Sequence, residues 1–287
     1  MSSLNETVFI GYENRPQFSK IGQIPFVFEH NLQNHPLMQR DALRTLCRYM
    51  QENKLSYFLQ NKTGQMSGWG EATKNANLVD SYDQLETGNV LILLKSAHRH
   101  PAYEKLLRNF LDEIGEILGV DMKKAYRRPI CTIIIASPHR ITPYHMDDAH
   151  NLLLQVWGRK DFYVFSGTDP EIVTPKELEA FWNGDVDAAC LSDAKQAKAT
   201  LYDLTPGTGI HVPLLHPHWV RNGNDVSVAV SMNFQSAKDR TLSVHSFNEF
   251  LRKRGFHPTA PGRNRLVDLS KVAAFGALST IRDLRNH

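Results

Sequence analysis

Between about residue 129 and residue 235 the pattern of apolar residues in this chain changes from helical to strand-like, in short runs separated by turn residues. Eight strand-like runs stand out there, at 130–136, 143–147, 151–157, 161–165, 199–204, 208–213, 217–221 and 226–234. Short strands separated by turn residues cannot each bury a face alone, so they must close into a sandwich or barrel. Eight in this order suit a double-stranded β-helix, the jelly-roll form. The flanks read differently. Leu43, Leu46, Cys47 and Met50 follow the i, i+3, i+4, i+7 rule, which predicts an amphipathic helix over roughly 37–53. Pro101 suits the first turn of a second helix, with Tyr103, Leu106, Leu107, Phe110, Ile114 and Ile117 on its apolar face. Residues 64–70 read as a loop and 89–94 as a buried strand. After residue 240 helix returns, over 246–254 and 267–284.

One insertion interrupts the strand series, at 166–198. Thr174-Pro175-Lys176-Glu177 is a capping box with proline at the first helical position, and it opens a short helix through Trp182. Residues 183–198 are polar and small, and read as a mobile cover over the barrel mouth. The expected fold is therefore mainly β with flanking helices. A jelly-roll core occupies 126–240, an α+β extension over 1–125 packs on it, and C-terminal helices follow over 241–287. Leu269, Val272, Ala273, Phe275, Leu278 and Ile281 give the last helix an apolar stripe that suits a homodimer contact.

Composition narrows the function classes. With 41% hydrophobic and 22% charged residues the chain can build an ordinary globular core. The longest uninterrupted apolar candidate, Val90–Leu94, is far shorter than a membrane helix, and no secretory leader is legible at Met1, so a cytoplasmic, membrane-free protein is expected. Net charge is only +3. The basic groups Lys123-Lys124, Arg127-Arg128 and Arg252-Lys253-Arg254 are short enough to be solvated surface, so no nucleic-acid partner is expected. Cys47, Cys131 and Cys190 lack zinc spacing and read as small core residues.

The chemistry concentrates in His145-Met146-Asp147 and in His218, seventy-one residues beyond the aspartate. On an extended segment a His-X-Asp step puts imidazole and carboxylate on one side. A distant imidazole would complete a 2-His-1-carboxylate triad, which binds Fe(II) and leaves positions open for chemistry.

The run Thr142-Pro143-Tyr144-His145-Met146-Asp147, then Asn151, Gln155, Gly158 and Lys160, resembles the cupin-like JmjC family of Fe(II)/2-oxoglutarate-dependent hydroxylases. Within it the run is similar to the asparaginyl hydroxylase of hypoxia-inducible factor. Pro206-Gly207, Val212-Pro213 and His218 resemble a later segment of the same family, so the likeness covers about 130–235. It implies His145, Asp147 and His218 as iron ligands. It implies Lys160 and Thr142 on the distal carboxylate of 2-oxoglutarate, with Asn151 and Asn233 near cosubstrate and metal. The implied cofactors are Fe(II), 2-oxoglutarate and O2, and the implied activity is hydroxylation of a protein side chain, an amino acid or a small metabolite.

Two departures matter. Thr208 replaces the acidic residue that follows Pro-Gly in the family, and His216-Pro217 replace paired aromatics before the last histidine. His216 is therefore a rival third ligand, although alignment on the Pro-Gly and Val-Pro steps puts His218 in register. Otherwise His216, with Tyr144 and Asp148, is expected to meet substrate. His150 is expected at the rim or in the scaffold, His139 and His211 as scaffold histidines, and Trp157 and Trp219 as wall aromatics. Two other classes stay open: a cupin-type metalloenzyme that does not use 2-oxoglutarate, and a cupin-like module that binds a ligand without catalysis.

Overall fold

In a computed structural model the described residues are 10, 12–61, 66–74, 76–182, 184–236, 241–252, 254–259, 261 and 263–285. Residues Gly64, Gln65 and Lys253, and the side chains of Lys123, Arg127, Arg128, Leu278 and Ile281, lie outside them. The strands of the described residues are β1 Phe26–Glu29, β2 Phe58–Gln60, β3 Leu91–Leu94, β4 Tyr126–Ala136, β5 Ile141–His145 and β6 His150–Trp157. They continue with β7 Lys160–Val164, β8 Thr200–Leu204, β9 Thr208–Val212, β10 His218–Asn222 and β11 Ser227–Ser236. One sheet has the order β1-β9-β6-β11-β4-β3-β2, and the other β5-β10-β7-β8. Strands β4 to β11 are the eight runs read from the sequence. Alternation of the two sheets along the chain makes them a jelly roll. The extension adds β1 beside β9 and β3 with β2 beside β4, so it shares the larger sheet with the barrel.

Strand β6 shows why that sheet is buried on both faces. Leu152, Leu154 and Val156 point to the extension, into a core with Phe28, Leu43, Leu46, Met50 and Phe110. Leu153, one residue out of phase, points into the barrel with Phe162, Ile210, Val220 and Ala229. With both faces covered, near-continuous hydrophobicity replaces clean alternation. The two helices expected in the extension occur at Arg40–Glu52 and Pro101–Leu118, and His100 caps the second through its ring nitrogen. Each fully buried leucine on these faces contributes about 1.5–3 kcal/mol.

The turn from β6 to β7 sets where Lys160 stands. Gly158 sits at φ +65, and a Cβ there would lie 2.6 Å from the Val226 carbonyl oxygen, so only glycine fits. Gln155 is fully buried and donates to the carbonyls of Trp157 at 2.6 Å and Gly158 at 3.0 Å, which closes the turn.

The insertion departs from expectation. Its capping box forms as read: the Glu177 amide donates to Thr174 Oγ1 at 3.2 Å and the Thr174 amide to Glu177 Oε2 at 2.9 Å. The stretch 183–198, expected as a mobile cover, is instead fastened down over its described part, 184–198. Lys195 pairs with Glu177 at 2.6 Å in a largely buried contact, and Gln196 Oε1 accepts from the Trp219 indole at 2.9 Å. Burial of Glu177 opposes ionisation, but donors from Lys195, Cys190 and Thr174 outweigh it and hold its carboxyl below the usual range. Ile172, Val173 and Ala188 pack with Tyr144, Phe165 and Trp219 on the outer face of the smaller sheet. Cys190, read as a core residue, is exposed, because this polar segment has no interior of its own. The C-terminal helices run Thr241–Arg252 and Arg265–Arg285. On the latter, Ala273 of the expected apolar stripe is exposed and Leu269, Val272 and Phe275 are half-buried.

Candidate metal centre

Strand β10 lies between β5 and β7, and its residue His218 stands directly opposite His145. Cross-strand partners share a face, so both imidazoles point into the barrel. Their ring centroids are 4.2 Å apart. Met146 turns outward into the cluster under the insertion, which returns Asp147 to the side of His145. Asp147 Oδ1 lies 3.9 Å from His145 Nε2, and Oδ2 lies 3.9 Å from His218 Nε2. These gaps are too long for hydrogen bonds. One ligand atom from each of the three residues falls within 4.8 Å of the others, close enough for the three to share one metal ion.

The opposite edge of each ring is tied. His145 Nδ1 is 2.7 Å from the Pro143 carbonyl oxygen and His218 Nδ1 is 3.0 Å from that of His216. Each Nδ1–H therefore donates to a carbonyl and each Nε2 keeps a free lone pair, the tautomer that binds a metal. Burial, reinforced by the neighbouring His145, pushes His218 down to about 4, although Asp147 pulls the other way. At neutral pH His218 is thus a neutral imidazole, the form that can ligate. The donor set and its free lone pairs fit a divalent ion with open coordination positions.

Lys160 shares the inward face. Along the β10–β7 ladder His218 faces Val164, Val220 faces Phe162 and Asn222 faces Lys160. The Phe162 ring stacks on His218 at 5.2 Å with an interplanar angle of 13°, so an apolar wall runs from the metal site toward the lysine. Lys160 is 4% exposed. Burial alone pushes its ammonium down to about 7. No carboxylate approaches it in any ion pair among the described residues.

Thr142 reaches the same interior through an irregularity. Between His218 and Val220 the β10–β5 register shifts, so that His145 and Thr142, three residues apart, face β10 residues two apart. This bulge puts both side chains inward, which simple alternation forbids. On the facing sheet Asn151 and Asn233 are cross-strand partners, and the hydroxyl of Ser231 lies 3.2 Å from Asn151 Oδ1 and 2.6 Å from Asn233 Oδ1.

Several expected residues lie elsewhere. Tyr144, expected to meet substrate, faces the other way: it is 1% exposed and its ring packs on Phe165 at 5.1 Å beneath the insertion. His216 stays out of the ligand cluster, so His218 is the third member. It is buried near Leu214 and Gly167, where a Cβ on the glycine would come within 2.9 Å of His216 Nδ1. Asp148 is exposed on the rim, and its carbonyl accepts from Gln235 at 3.0 Å. His150 accepts from the Leu214 amide, and His211 is fully satisfied between the Gly22 amide and the Asn151 carbonyl. His139 is an exposed turn residue with φ +58. Trp219 stacks on Tyr163 outside the barrel, and Trp157 packs against the extension core.

Sequence reasoning missed Phe162, Ser231 and Trp69. The first two lie two residues from Lys160 and Asn233, so strand period alone would have placed them on the same face. Nothing in the sequence marks Trp69, whose ring meets the His145 ring at 4.8 Å.

Residues 21–240 match the cupin-like domain family. The chain belongs to that family. Solved structures with the same cupin-like fold include Escherichia coli YcfD, at a TM-score of 0.53 and 16% identity, covering 96% of this chain and 68% of that one. A second is YcfD, a ribosomal oxygenase from Escherichia coli, in complex with cobalt and 2-oxoglutarate, at a TM-score of 0.52 and 16% identity over 93% of this chain and 66% of that one. This cupin-like chain thus spans about two thirds of the length of those proteins. No curated protein matches it. No helix of the described residues is long and apolar enough to cross a membrane.

Proposed function

We propose that this chain is an Fe(II)- and 2-oxoglutarate-dependent oxygenase that hydroxylates a side chain of a protein or peptide, or a small metabolite of similar chemistry. One observation carries the reading: a convergent His-Asp-His donor set shares the barrel interior with a buried lysine that has no acidic partner among the described residues. A structural pair of histidines does not need an orphan ammonium nearby, whereas a dianionic cosubstrate does. The fold shared with a ribosomal oxygenase crystallised with cobalt and 2-oxoglutarate supports it.

When bound, iron and 2-oxoglutarate supply the oxidising chemistry, in which O2 is consumed, the keto acid yields succinate and CO2, and one oxygen atom enters a substrate C–H bond. The protein's share is placement. His145 and His218 present Nε2 from adjacent strands, and the Pro143 and His216 carbonyls hold their rings in orientation. Asp147 brings the negative charge from the mouth. Lys160, protonated on binding, would hold the distal carboxylate, with the Thr142 hydroxyl beside it. Phe162 and Val220 keep water from the methylenes between, and Asn151 and Asn233 offer amide groups from the facing sheet. Asp148 and His216 are proposed on the substrate side. Hydroxylation is the outcome unless the attacked carbon is on a methylated nitrogen.

A homodimer through the C-terminal helices belongs to the same proposal, supported by Phe256 and Leu266, which are exposed there. A cytoplasmic setting is supported by three free thiols. The test of activity is a screen of peptides and metabolites for a mass gain of one oxygen atom that depends on both iron and 2-oxoglutarate. The reading expects such a product, together with succinate, and expects both to vanish in His145→Ala. No succinate under any condition would refute it.

A further inference from the structure

The metal site has a wall that comes from outside the jelly roll. Trp69 lies in the extension, after β2, yet its ring packs edge to face on His145 at 4.8 Å and 70°. On its other side it meets Phe58 at 5.9 Å and 78°. The indole is only half-buried. The indole packs against the small cluster of Leu91, Leu93 and Ala136 and also touches a metal ligand, while part of it stays exposed.

Its backbone is held at both ends by side chains from other segments. The Trp69 amide donates to Asp187 Oδ1 at 2.9 Å. The Trp69 carbonyl accepts from Gln60 Nε2 at 3.0 Å. Gln60 in turn accepts from the guanidinium of Arg140, a 2% exposed cation that also donates to the Asn89 carbonyl at 3.1 Å. Burial depresses Arg140 to about 10. The peptide just before it is tied to β5: the Tyr144 amide donates to the Met66 carbonyl at 2.9 Å, and Ser67 bridges Tyr144. Gly68 and Gly70 flank the tryptophan at φ +74 and +63, which lets the chain reverse on either side of the indole.

Asp187 belongs to the insertion, and its neighbour Ala188 is buried in the cluster on the outer face of the smaller sheet. A contact more than a hundred residues long in sequence therefore fixes the indole over the metal ligand. We infer that Trp69 is the wall against which the substrate's target group rests, and that Asp187 is the positioning residue that keeps it there. An indole face suits a target carried on a planar or aliphatic side chain. The insertion thus shapes substrate selection from a distance. This rests on the oxygenase reading.

The test uses the full chain loaded with cobalt(II), a probe that needs no known substrate, and reads indole emission. Subtracting Trp69→Phe from the wild type isolates the signal of Trp69. Cobalt(II) is expected to quench that signal in the wild type and in Asp187→Asn, which keeps a carbonyl acceptor. Asp187→Ala should lose most of the quenching while still binding one cobalt(II) by calorimetry. With a peptide from the oxygen-gain screen, Asp187→Ala and Trp69→Ala should raise KM about tenfold, equal to about 1.4 kcal/mol, and Asp187→Asn should restore it. Quenching that persists in Asp187→Ala, or KM values at the wild-type level in both alanine variants, would overturn the inference alone. A wild-type chain that binds no cobalt(II) would defeat the oxygenase reading, and this inference with it.

Discussion

Replacing Lys160 by methionine should stabilise the ligand-free protein and abolish cosubstrate binding. The two effects have one cause. The ammonium is 4% exposed and lacks a carboxylate, and burial lowers it from 10.5 to about 7. At about 1.4 kcal/mol for each pH unit, that drop sets a ceiling of roughly 5 kcal/mol on what the lysine costs the folded state. Relaxation and water penetration reduce the ceiling, so Lys160→Met should gain about 2–4 kcal/mol at pH 7. For a chain of this length that is a rise in Tm of roughly 3–7 °C. The sign with pH follows from linkage. Between about 7 and 10.5 the unfolded chain keeps the proton and the native chain releases it, so wild-type stability rises with pH across that window. Below about 7 both states bind the proton and the contribution is constant. The advantage of Lys160→Met should therefore be flat below pH 7 and shrink by about 1.4 kcal/mol per unit above it. In the cobalt(II)-loaded protein, 2-oxoglutarate should bind Lys160→Met about a hundredfold more weakly or worse, because its distal carboxylate is left unpaired. Chemical denaturation at several pH values and calorimetry with 2-oxoglutarate read the two effects. A less stable Lys160→Met protein, or unchanged 2-oxoglutarate affinity, would rule out a buried, unpaired ammonium that serves the cosubstrate.

Other consequences follow from the same geometry. His218→Ala should abolish tight cobalt(II) binding, whereas His216→Ala should keep it within a few fold; equal losses by calorimetry would reinstate His216 as a ligand. Glu177→Ala removes the partner of the half-buried Lys195 and the acceptor of the Thr174 and Cys190 amides and should destabilise by about 1–3 kcal/mol, with cleavage by limited proteolysis appearing first inside 166–198. Because the Glu177 carboxyl is held below its usual range, that support is complete above about 4.5 and is lost as pH falls through the lower native value. Gly158→Ala drives a Cβ onto the Val226 carbonyl and should lower both Tm and 2-oxoglutarate affinity, since the same turn places Lys160; an unchanged affinity would separate the turn from the site.

The barrel strands were legible because turn residues bound short strand-like runs, and period 2 survives where only one face is buried, unlike β6, which is covered on both. The helices at Arg40–Glu52 and Pro101–Leu118 were legible for the corresponding reason at period 3.6. Strands β1 and β2 were not, because Phe26–Glu29 and Phe58–Gln60 are too short to show a period and gain stability only by joining an existing sheet edge. The inward turn of Thr142 depends on a register shift, which is a property of a strand pair and not of either strand. Tyr144 misled for the opposite reason, since adjacency to His145 in sequence means the opposite face in a strand. Cys190 and the 183–198 segment show that small polar composition does not imply a loose cover, because Glu177 supplies from a neighbouring turn what the segment lacks. Trp69 could not have been found, for its link to His145 passes through Asp187, far away in the chain.

His145, Asp147 and His218 would gather one divalent ion beside a lysine reserved for 2-oxoglutarate. Anaerobic titration of Fe(II) followed by 2-oxoglutarate, watched by visible absorption, tests it most directly. One ion per chain is expected, with a charge-transfer band that appears only when both are present and is absent in Asp147→Ala. A band that survives in Asp147→Ala, or 2-oxoglutarate that fails to bind the iron-loaded wild type, would contradict it.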